Sequence, residues 1–439
     1  MGKLSGKEIV FVSFMLFSMF FGAGNLIFPP SLGASAGEHL WYAMAGFILS
    51  AVGLPILGVM AVAQAGSFQT LSRRVHPSFA IVFPLVIYLS IGPGLAIPRA
   101  GSLAFEMGVG PFLAEGMKGN PFFLLLYTVI FFSVVYWLCL SPSKLIDRFG
   151  KLLTPLLLTL IFIIFVKSMI TPLGTFGVPT GNYALFPSFQ GFLDGYQTMD
   201  ALAALIFGIV VANTLRVKGI EDKKRMSVYM VYAGLGAGTL LTIIYIILGF
   251  FGASSYSLGK AENGAQILTL VMSHLFGSGG AIILGLIFTL ACLCVSIGLV
   301  TSCGQFFHSA FPRISYKSWA LLLCVVSMII ANLGLTQILK ISVPVLGLIY
   351  PVAIVMIILA LVDRFVGRYS SIYTVTVGFV GLFSLLDMVN KTFLANQWDS
   401  TFLHFPLYAE GVGWLVPAVV GVVAGFMISV VKPTKVDLY

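Results

Sequence analysis

Apolar runs of about twenty residues recur along the whole 439-residue chain, and this feature constrains the fold more than any other. The hydrocarbon core of a bilayer is about 30 Å thick, so a helix needs roughly 20 apolar residues to cross it. Charged residues make up 9% of the chain, against about 25% in soluble domains. The sequence therefore predicts an all-α integral membrane protein whose residues 1–439 form one membrane domain. About twelve transmembrane helices are predicted, at 9–32, 40–64, 79–105, 122–140, 145–170, 189–215, 226–251, 277–307, 318–333, 341–362, 372–389 and 413–431.

Positive charges alternate between successive connections, which tests the span count independently. Cytoplasmic loops carry an excess of Lys and Arg. Every second connection holds such residues, namely Lys3, Lys7, Arg73, Arg74, Lys144, Arg148, Lys151, Arg216, Arg225, Arg313, Lys317, Arg364, Arg368, Lys432 and Lys435. The other connections hold only Lys118, Lys260, Lys340 and Lys391. The pattern predicts that both termini are cytoplasmic, and it accounts for the net charge of +9 without a nucleic-acid partner.

Two predicted spans are interrupted at membrane depth. The first contains FGAGNLIFPP at residues 21–30, and the sixth contains FLDGYQTMDALAALIFG at residues 192–208. Non-helical backbone is tolerated in a bilayer only where protein, water or a ligand satisfies it. The two spans are five helices apart, which is an odd number, so they enter the membrane from opposite sides. Broken helices at corresponding places in two inverted halves indicate the midplane binding site of a transporter.

The ends of these broken helices predict what the site binds. The half before Gly22 ends with free carbonyls, which suit a cation, and the half after Asn25 begins with free N–H groups, which suit a carboxylate. Asn25 adds a neutral oxygen for a cation, and Pro29 and Pro30 cost little in an early helical turn. An amino acid carries both charges. The alternative is ordinary helix packing, because glycines and prolines are frequent in membrane helices.

Asp200 is the clearest acidic residue deep in a span. An unpaired charge there is costly, so contact with a substrate ammonium or a coupling cation is the favoured interpretation, and a protonated or internally paired structural role is the alternative. Tyr196 and Thr198 could supply nearby oxygens. A hydroxyl in a helix, however, more often bonds to its own turn.

Two further groups of polar residues lie within spans. The eighth span holds Gly298, Thr301 and Ser302, whose oxygens suit sodium, although Ser and Thr also join membrane helices by hydrogen bonds. The third span holds Arg99 and Glu106 seven residues apart, two turns on one face of a continuous helix. We expect this pair toward the outer end, as a solvated or paired interface or as an outer gate that steers carboxylates.

The motifs FGAGNLIFPP, GPGLAIPRAG, DGYQTMDALAALIFG and SIGLVTSCGQFF together resemble those of the bacterial branched-chain amino acid:cation symporter family, the BrnQ-type carriers. The resemblance covers all twelve spans. It implies import of leucine, isoleucine and valine with sodium across a bacterial inner membrane by a multi-pass protein. It also implies a LeuT-type fold of five plus five inverted helices, with helices 1 and 6 unwound at mid-membrane. The repeats would cover about 8–172 and 187–363, and two extra helices about 370–431.

The same resemblance implies roles for individual residues. Backbone around Gly22, Ala23 and Gly24 would hold the substrate carboxylate, with Asn25, Tyr196, Gln197 and Asp200 completing the substrate site. Asn25 and Thr198 would form a first sodium site. Carbonyls of Ser18 and Phe21, with Gly298, Thr301 and Ser302, would form a second. Asp200 replaces a small neutral residue of generic LeuT-type patterns, so it could bind the amine, a proton or sodium. Lys151 and Lys167 fall near opposite ends of helix five rather than at the sodium position, which favours sodium.

The predicted function is therefore a secondary active symporter that imports branched-chain amino acids with sodium by alternating access. A proton-coupled carrier, or a carrier of a different neutral amino acid, is the alternative. A channel is less favoured because no carbonyl filter such as TVGYG occurs. An enzyme is disfavoured because the HExxH and GxSxG motifs are missing. We expect no cofactor beyond the coupling ion and no obligatory protein partner.

Overall fold

The structure is a computed structural model that describes residues 4–114, 117, 120–141, 146–261, 263–367 and 370–431. Within these ranges the chain is made of helices joined by turns and irregular connections. Some charges used for the orientation argument lie outside the described residues, namely Lys3, Lys118, Lys144, Arg368, Lys432 and Lys435. The orientation of the termini stays a prediction.

The first ten helices cover the amino-terminal part of the chain. They are α1 (Gly6–Phe20), α2 (Ala23–Ala36), α3 (Leu40–Ile48), α4 (Leu54–Ala65), α5 (Phe68–Arg73), α6 (Phe79–Leu89), α7 (Ala96–Gly108), α8 (Pro121–Cys139), α9 (Thr154–Ile170) and α10 (Asn182–Leu185). Two short π-helical segments, Leu49–Gly53 and Ser90–Gly94, join neighbouring helices, and a third, Ile146–Leu153, precedes α9.

The remaining helices cover the carboxyl-terminal part. They are α11 (Pro187–Tyr196), α12 (Asp200–Val217), α13 (Lys223–Ser254), α14 (Gly264–Phe276), α15 (Gly280–Ala310), α16 (Tyr316–Ala331), α17 (Leu335–Leu361), α18 (Asp363–Val366), α19 (Ser370–Phe393), α20 (Asp399–Phe402) and α21 (Leu415–Val431).

These helices confirm the predicted all-α membrane fold. Nine helical stretches in the described residues are long and apolar enough to cross a bilayer, and α16 and α21 are shorter apolar helices. Nine differs from the predicted twelve for two reasons: α2 to α4 count as one stretch between Ala23 and Ala65, and α16 and α21, which match two further predicted spans, are too short to be counted. The structure also contains α14, which the sequence analysis did not predict as a span. This helix packs beside α2, where Gly264 lies against the carbonyl of Ile27.

Helix α8 illustrates how the fold meets the bilayer. Its side chains Phe122, Ile130 and Trp137 are exposed, with 60%, 57% and 64% of their surface accessible. Large exposed apolar side chains covering one helix are costly in water and are stable against lipid tails. Helix α8 therefore forms part of the lipid-facing perimeter, whereas α12 and α15 lie in the buried centre.

Helices α2 and α13 pack backbone to backbone. Gly33 of α2 lies against the carbonyl of Gly249, and a side chain at Gly33 would collide with it. Gly252 of α13 lies in the same way against the carbonyl of Pro30. Small residues allow such close approach between membrane helices. The contact joins the second half of the first span firmly to the seventh span.

Candidate functional site

The first span is broken between α1 and α2. The N–H of Gly22 would extend α1 by bonding to the Ser18 carbonyl, but it donates to Asn25 Oδ1 over 3.1 Å. The N–H groups of Ala23 and Gly24 are unpaired within α2, because the first turn of a helix has no preceding carbonyls to accept from them and Gly22 has no side chain to cap them. They form a helix N-terminus that is open to an anion.

The restart of this helix differs from the prediction. The second half begins at Ala23, not after Asn25, because the Asn25 side chain caps the Gly22 N–H from within the first turn. Pro29 and Pro30 consequently lie inside α2 and not in its early turn. Each proline lacks the N–H that would bond four residues back, so α2 forgoes those bonds.

The sixth span is broken between α11 and α12, as predicted. Gln197, Thr198 and Met199 separate the two helices, and each of their N–H groups bonds to a carbonyl three residues earlier at 3.0–3.2 Å. Met199 adopts a left-handed backbone with φ of 66°. Such a conformation costs on the order of 1–3 kcal/mol for a residue other than glycine and tends to occur at functional sites.

Asp200 begins α12 and links three helices at the break. Its side chain is only 2% exposed. The Oδ2 atom accepts hydrogen bonds from Asn25 Nδ2 at 2.6 Å and from the hydroxyl of Tyr245 on α13 at 2.9 Å. The Thr198 hydroxyl accepts from the Asp200 N–H at 3.4 Å. All of these donors and acceptors are neutral, so they solvate the carboxylate without balancing its charge.

Arg99 lies at the same break and not toward the outer end of the third span. The π-helical segment Ser90–Gly94 interrupts this span, and Gly92 there has a non-helical ψ of −120°. Helix α7 restarts at Ala96 and carries Arg99, whose Nη1 donates to the Gln197 carbonyl at 3.0 Å. Its side chain is 3% exposed, whereas Glu106 further along α7 is exposed. The predicted outer pairing of these two residues is therefore wrong for Arg99.

A cavity lies between the two breaks. It encloses about 330 Å³ of space between its lining atoms, including the space at its opening. Its polar wall consists of Gly22, Ala23, Gly24, Asn25, Arg99, Thr198 and Asp200, and its apolar wall of Met19, Phe20, Ile91, Ala96, Met199, Ala203, Val295 and Leu299. The cavity wall thus combines polar and charged groups with aliphatic and aromatic side chains.

The second set of predicted cation ligands lies around the end of α1, apart from this cavity. The Ser18 hydroxyl is 2.5 Å from that of Thr154 on α9, and Thr154 also donates to the Phe14 carbonyl. On α15, Ser302 donates to the Gly298 carbonyl at 2.8 Å. These side chains are completely buried.

Thr301 and Phe21 complete the predicted second set in different surroundings. The Thr301 hydroxyl lies 3.7 Å from the Cys139 sulfur on α8. The Phe21 ring stacks on Phe17, and the Phe21 N–H bonds to the Phe17 carbonyl. The hydroxyls of Ser302 and Thr301 thus have partners within the protein, and a sodium ion bound here would have to exchange them.

A family model for branched-chain amino acid transport proteins matches residues 5–432. The chain belongs to this family. Over 99% of its length the transporter is 45% identical to the branched-chain amino acid permease BraB of Bacillus subtilis, covering 98% of that protein. It is 41% identical to the branched-chain amino acid transport system 2 carrier protein of Pseudomonas aeruginosa, over 96% of each chain. These findings confirm a branched-chain amino acid transporter and not an enzyme.

Solved structures confirm the LeuT-type fold. The nucleobase-cation-symport-1 family transporter Mhp1, closed with bromovinylhydantoin bound, matches 98% of this chain and 94% of its own at a TM-score of 0.62. MhsT in complex with L-phenylalanine matches 87% of this chain and 98% of its own at a TM-score of 0.56. At 15% and 17% identity, these matches concern the fold alone.

The cavity of the transporter brings together part of the predicted site. Gly22 to Asn25, Thr198 and Asp200 line it, whereas Tyr196 and Gln197 do not. The Tyr196 ring stacks on Tyr350 at 4.4 Å between centroids. Arg99 was predicted for a different place, and no sequence signal marks Tyr245, which lies in an unbroken apolar run. The Tyr245 hydroxyl belongs to the site only because α13 packs beside the two breaks, which the sequence does not indicate.

Proposed function

We propose that the transporter imports leucine, isoleucine and valine together with sodium by alternating access, with the substrate bound in the cavity between the two breaks. One observation carries the proposal. The buried Asp200 carboxylate, held by neutral donors only, and the unpaired N–H groups of Ala23 and Gly24 line the same cavity. An α-amino acid supplies an ammonium for the first and a carboxylate for the second.

The apolar wall supports a branched aliphatic side chain. Ile91, Val295 and Leu299 belong to the cavity wall, and burying an aliphatic side chain against them is favourable. One methylene is worth only about 1–3 kcal/mol in such a pocket. Selection among leucine, isoleucine and valine should accordingly be loose, and polar amino acids should be excluded.

Sodium coupling is supported by the surroundings of Ser18. The α9 residue in contact with it is Thr154, a hydroxyl and not a cationic side chain, so the oxygens of Ser18, Phe21, Gly298, Thr301 and Ser302 stay compatible with a cation. Asn25 and Thr198, both in the cavity wall, would form the first sodium site. Proton coupling is the second candidate, and it is favoured by Asp200, a buried carboxylate able to carry a proton.

The proposal includes the membrane arrangement. Both termini would be cytoplasmic in a bacterial inner membrane, and the inverted repeats would cover about 8–172 and 187–363, followed by the two extra helices. No cofactor or protein partner is required. The two breaks would then approach the midplane from opposite sides, as alternating access between two repeats demands.

Proteoliposomes test the coupling ion and the substrate. We expect labelled leucine to accumulate under an inward sodium gradient, and unlabelled isoleucine and valine to compete. Accumulation under a proton gradient alone would replace sodium by protons in the proposal. Competition by other neutral amino acids but not by isoleucine and valine would contradict the substrate assignment. Leucine entry that only equilibrates under either gradient would favour a channel.

A contact at the predicted cytoplasmic end gives a second prediction. Glu8 on α1 accepts from Lys218 Nζ, after α12, at 2.8 Å and from the Ser5 N–H and hydroxyl at 3.0 Å. The Lys218 hydrogen bond is the main cause that lowers the Glu8 pKa to about 2. Because this pKa lies below the ordinary 4.5, the contact is complete above about pH 4.5 and is lost only as pH falls through about 2.

Glu8→Gln should therefore weaken the closure of this end at neutral pH. We expect a two- to fivefold rise in labelling of a Met19→Cys variant by a thiol reagent added from the cytoplasmic side, as for loss of one surface ion pair. The native cysteines Cys139, Cys292, Cys294, Cys303 and Cys324 are buried, which keeps the background low. Asp387→Asn, which removes the exposed Lys391 pair within α19, is the matched control and should leave labelling unchanged. If Glu8→Gln does not change the labelling of the Met19→Cys variant, the contact between Glu8 and Lys218 does not help to close this end.

A further inference from the structure

Arg99 is a buried cation that no anion of the described residues contacts directly. No carboxylate lies within 4.0 Å of its guanidinium among the described residues, and its Nε has no hydrogen-bond partner. Its recorded contacts are the Gln197 carbonyl at 3.0 Å and the face of Phe28, 5.7 Å from the guanidinium carbon to the ring centroid. A buried charge is normally paired. Asp200 lines the same cavity and attracts Arg99 electrostatically, but no anion is hydrogen-bonded to this guanidinium.

The position of Arg99 indicates where an anion would bind. A side chain at Gly24 would come within 2.8 Å of Arg99 Nη2, so the guanidinium lies directly beside the first turn of α2. The unpaired N–H groups of Ala23 and Gly24 lie in the same turn. The next residue, Asn25, holds Asp200. The first turn of α2 therefore contacts the Arg99 guanidinium on one side and, through Asn25, the Asp200 carboxylate on the other. Neither charged group is hydrogen-bonded to a group of opposite charge.

We propose that Arg99 binds the α-carboxylate of the substrate, together with the N–H groups of Ala23 and Gly24, while Asp200 faces the α-ammonium. The inference rests on the proposed function and deepens it. Recognition of the amino acid then depends on two opposite charges built into the protein, one at each end of the backbone of the substrate. Arg99 suits this role because its planar guanidinium presents two parallel N–H donors to a carboxylate.

The proposal predicts that the transporter rejects a substrate whose carboxylate is neutral. Leucinamide has the size and side chain of leucine but carries an uncharged amide. We expect purified wild-type protein to bind leucine at least about 30-fold more tightly than leucinamide, as for a buried charge pair broken on one side. Binding is measured by calorimetry, or by competition against labelled leucine.

The Arg99→Gln variant completes a double-mutant cycle with the two ligands. We expect its affinity for leucine to fall at least about 30-fold and its affinity for leucinamide to change little, so that the preference for leucine falls close to one. A purely structural role of Arg99 would lower both affinities equally and leave the preference intact. Arg99→Lys keeps the charge without the paired donors, and it should keep a smaller preference for leucine.

Controls separate this inference from the proposed function. Arg216→Gln removes an exposed guanidinium that bonds to Asn213 at 3.1 Å, and it should leave the preference unchanged. If Arg99→Gln fails to fold, the wild type and Arg99→Lys still decide the question. Equal wild-type binding of leucine and leucinamide would overturn the role of Arg99 and leave the transport proposal standing. Wild-type protein that binds neither ligand would overturn both.

Discussion

Replacing Asp200 with Asn should reduce leucine uptake at least about 100-fold. The substitution preserves the size of the side chain, and its Oδ1 can still accept hydrogen bonds from Asn25 and Tyr245. Only the charge is removed. Loss of one partner of a buried, hydrogen-bonded charge pair costs about 2–5 kcal/mol, here the pair between the carboxylate and the ammonium or coupling cation. The measurement is the initial rate of labelled leucine uptake under a sodium gradient, normalised to inserted protein.

Asp194→Asn is the matched control for this prediction. Asp194 lies in α11, outside the cavity wall, and its carboxylate accepts from the Tyr183 hydroxyl and from Gln190 Nε2. The same change of charge in the same span should alter uptake only a few-fold. If Asp200→Asn transports as well as this control does, neither the ammonium nor the coupling cation depends on Asp200.

The substitution Gly24→Ala should lower leucine affinity about 10- to 100-fold. Its methyl group would meet Arg99 Nη2 at 2.8 Å, the Gln197 carbonyl at 3.1 Å and the Phe28 ring at 3.2 Å. The Gln197 backbone and the buried Arg99 guanidinium cannot both move away from the methyl group. Overpacking of this kind costs about 1–3 kcal/mol. The methyl would also fill the space beside the unpaired N–H groups of α2.

Folding should survive the same change, because alanine is about 1 kcal/mol more favourable than glycine inside a helix. Gly378→Ala in α19 provides the control, since a methyl there would have no atom within 4 Å. Both variants gain helix propensity, but only the first loses binding. Thermal unfolding of the purified variants, compared with their leucine affinities, separates the two effects. Undiminished affinity in Gly24→Ala would show that the substrate lies elsewhere.

The positions of both breaks could be predicted because backbone groups in a bilayer need partners, so glycine, asparagine and proline clusters in apolar runs are conspicuous. The exact restart of α2 could not, since it depends on the Asn25 side chain turning back to the Gly22 N–H. The depth of Arg99 was also hidden. Arg99 and Glu106 do share the continuous helix α7, but the interruption at Gly92 precedes both residues and sets the path of that helix, so that Arg99 reaches the second break.

The apolar wall of the cavity illustrates a different limit. Ile91, Met199 and Leu299 come from separate spans, and each lies in a stretch of similar residues. The hydrophobic pattern of a sequence distinguishes membrane-spanning segments from loops, but it does not show which apolar side chains of a span line the cavity. Only the relative rotation of the helices selects the side chains that meet the substrate.

The close packing of α2 on α13 limits how the molecule can move. Gly33 and Gly252 lie directly on the opposing main chain, so no flexible side chain separates the two helices there. If one helix slid along the other by even part of a turn, Cα atoms would collide with carbonyl oxygens. We therefore expect these two helix segments to move together as one rigid unit. In the alternating access that we propose, rocking would then be concentrated in the backbone torsion angles around Gly22 and Met199, which both line the cavity, so that substrate binding and rocking would be coupled.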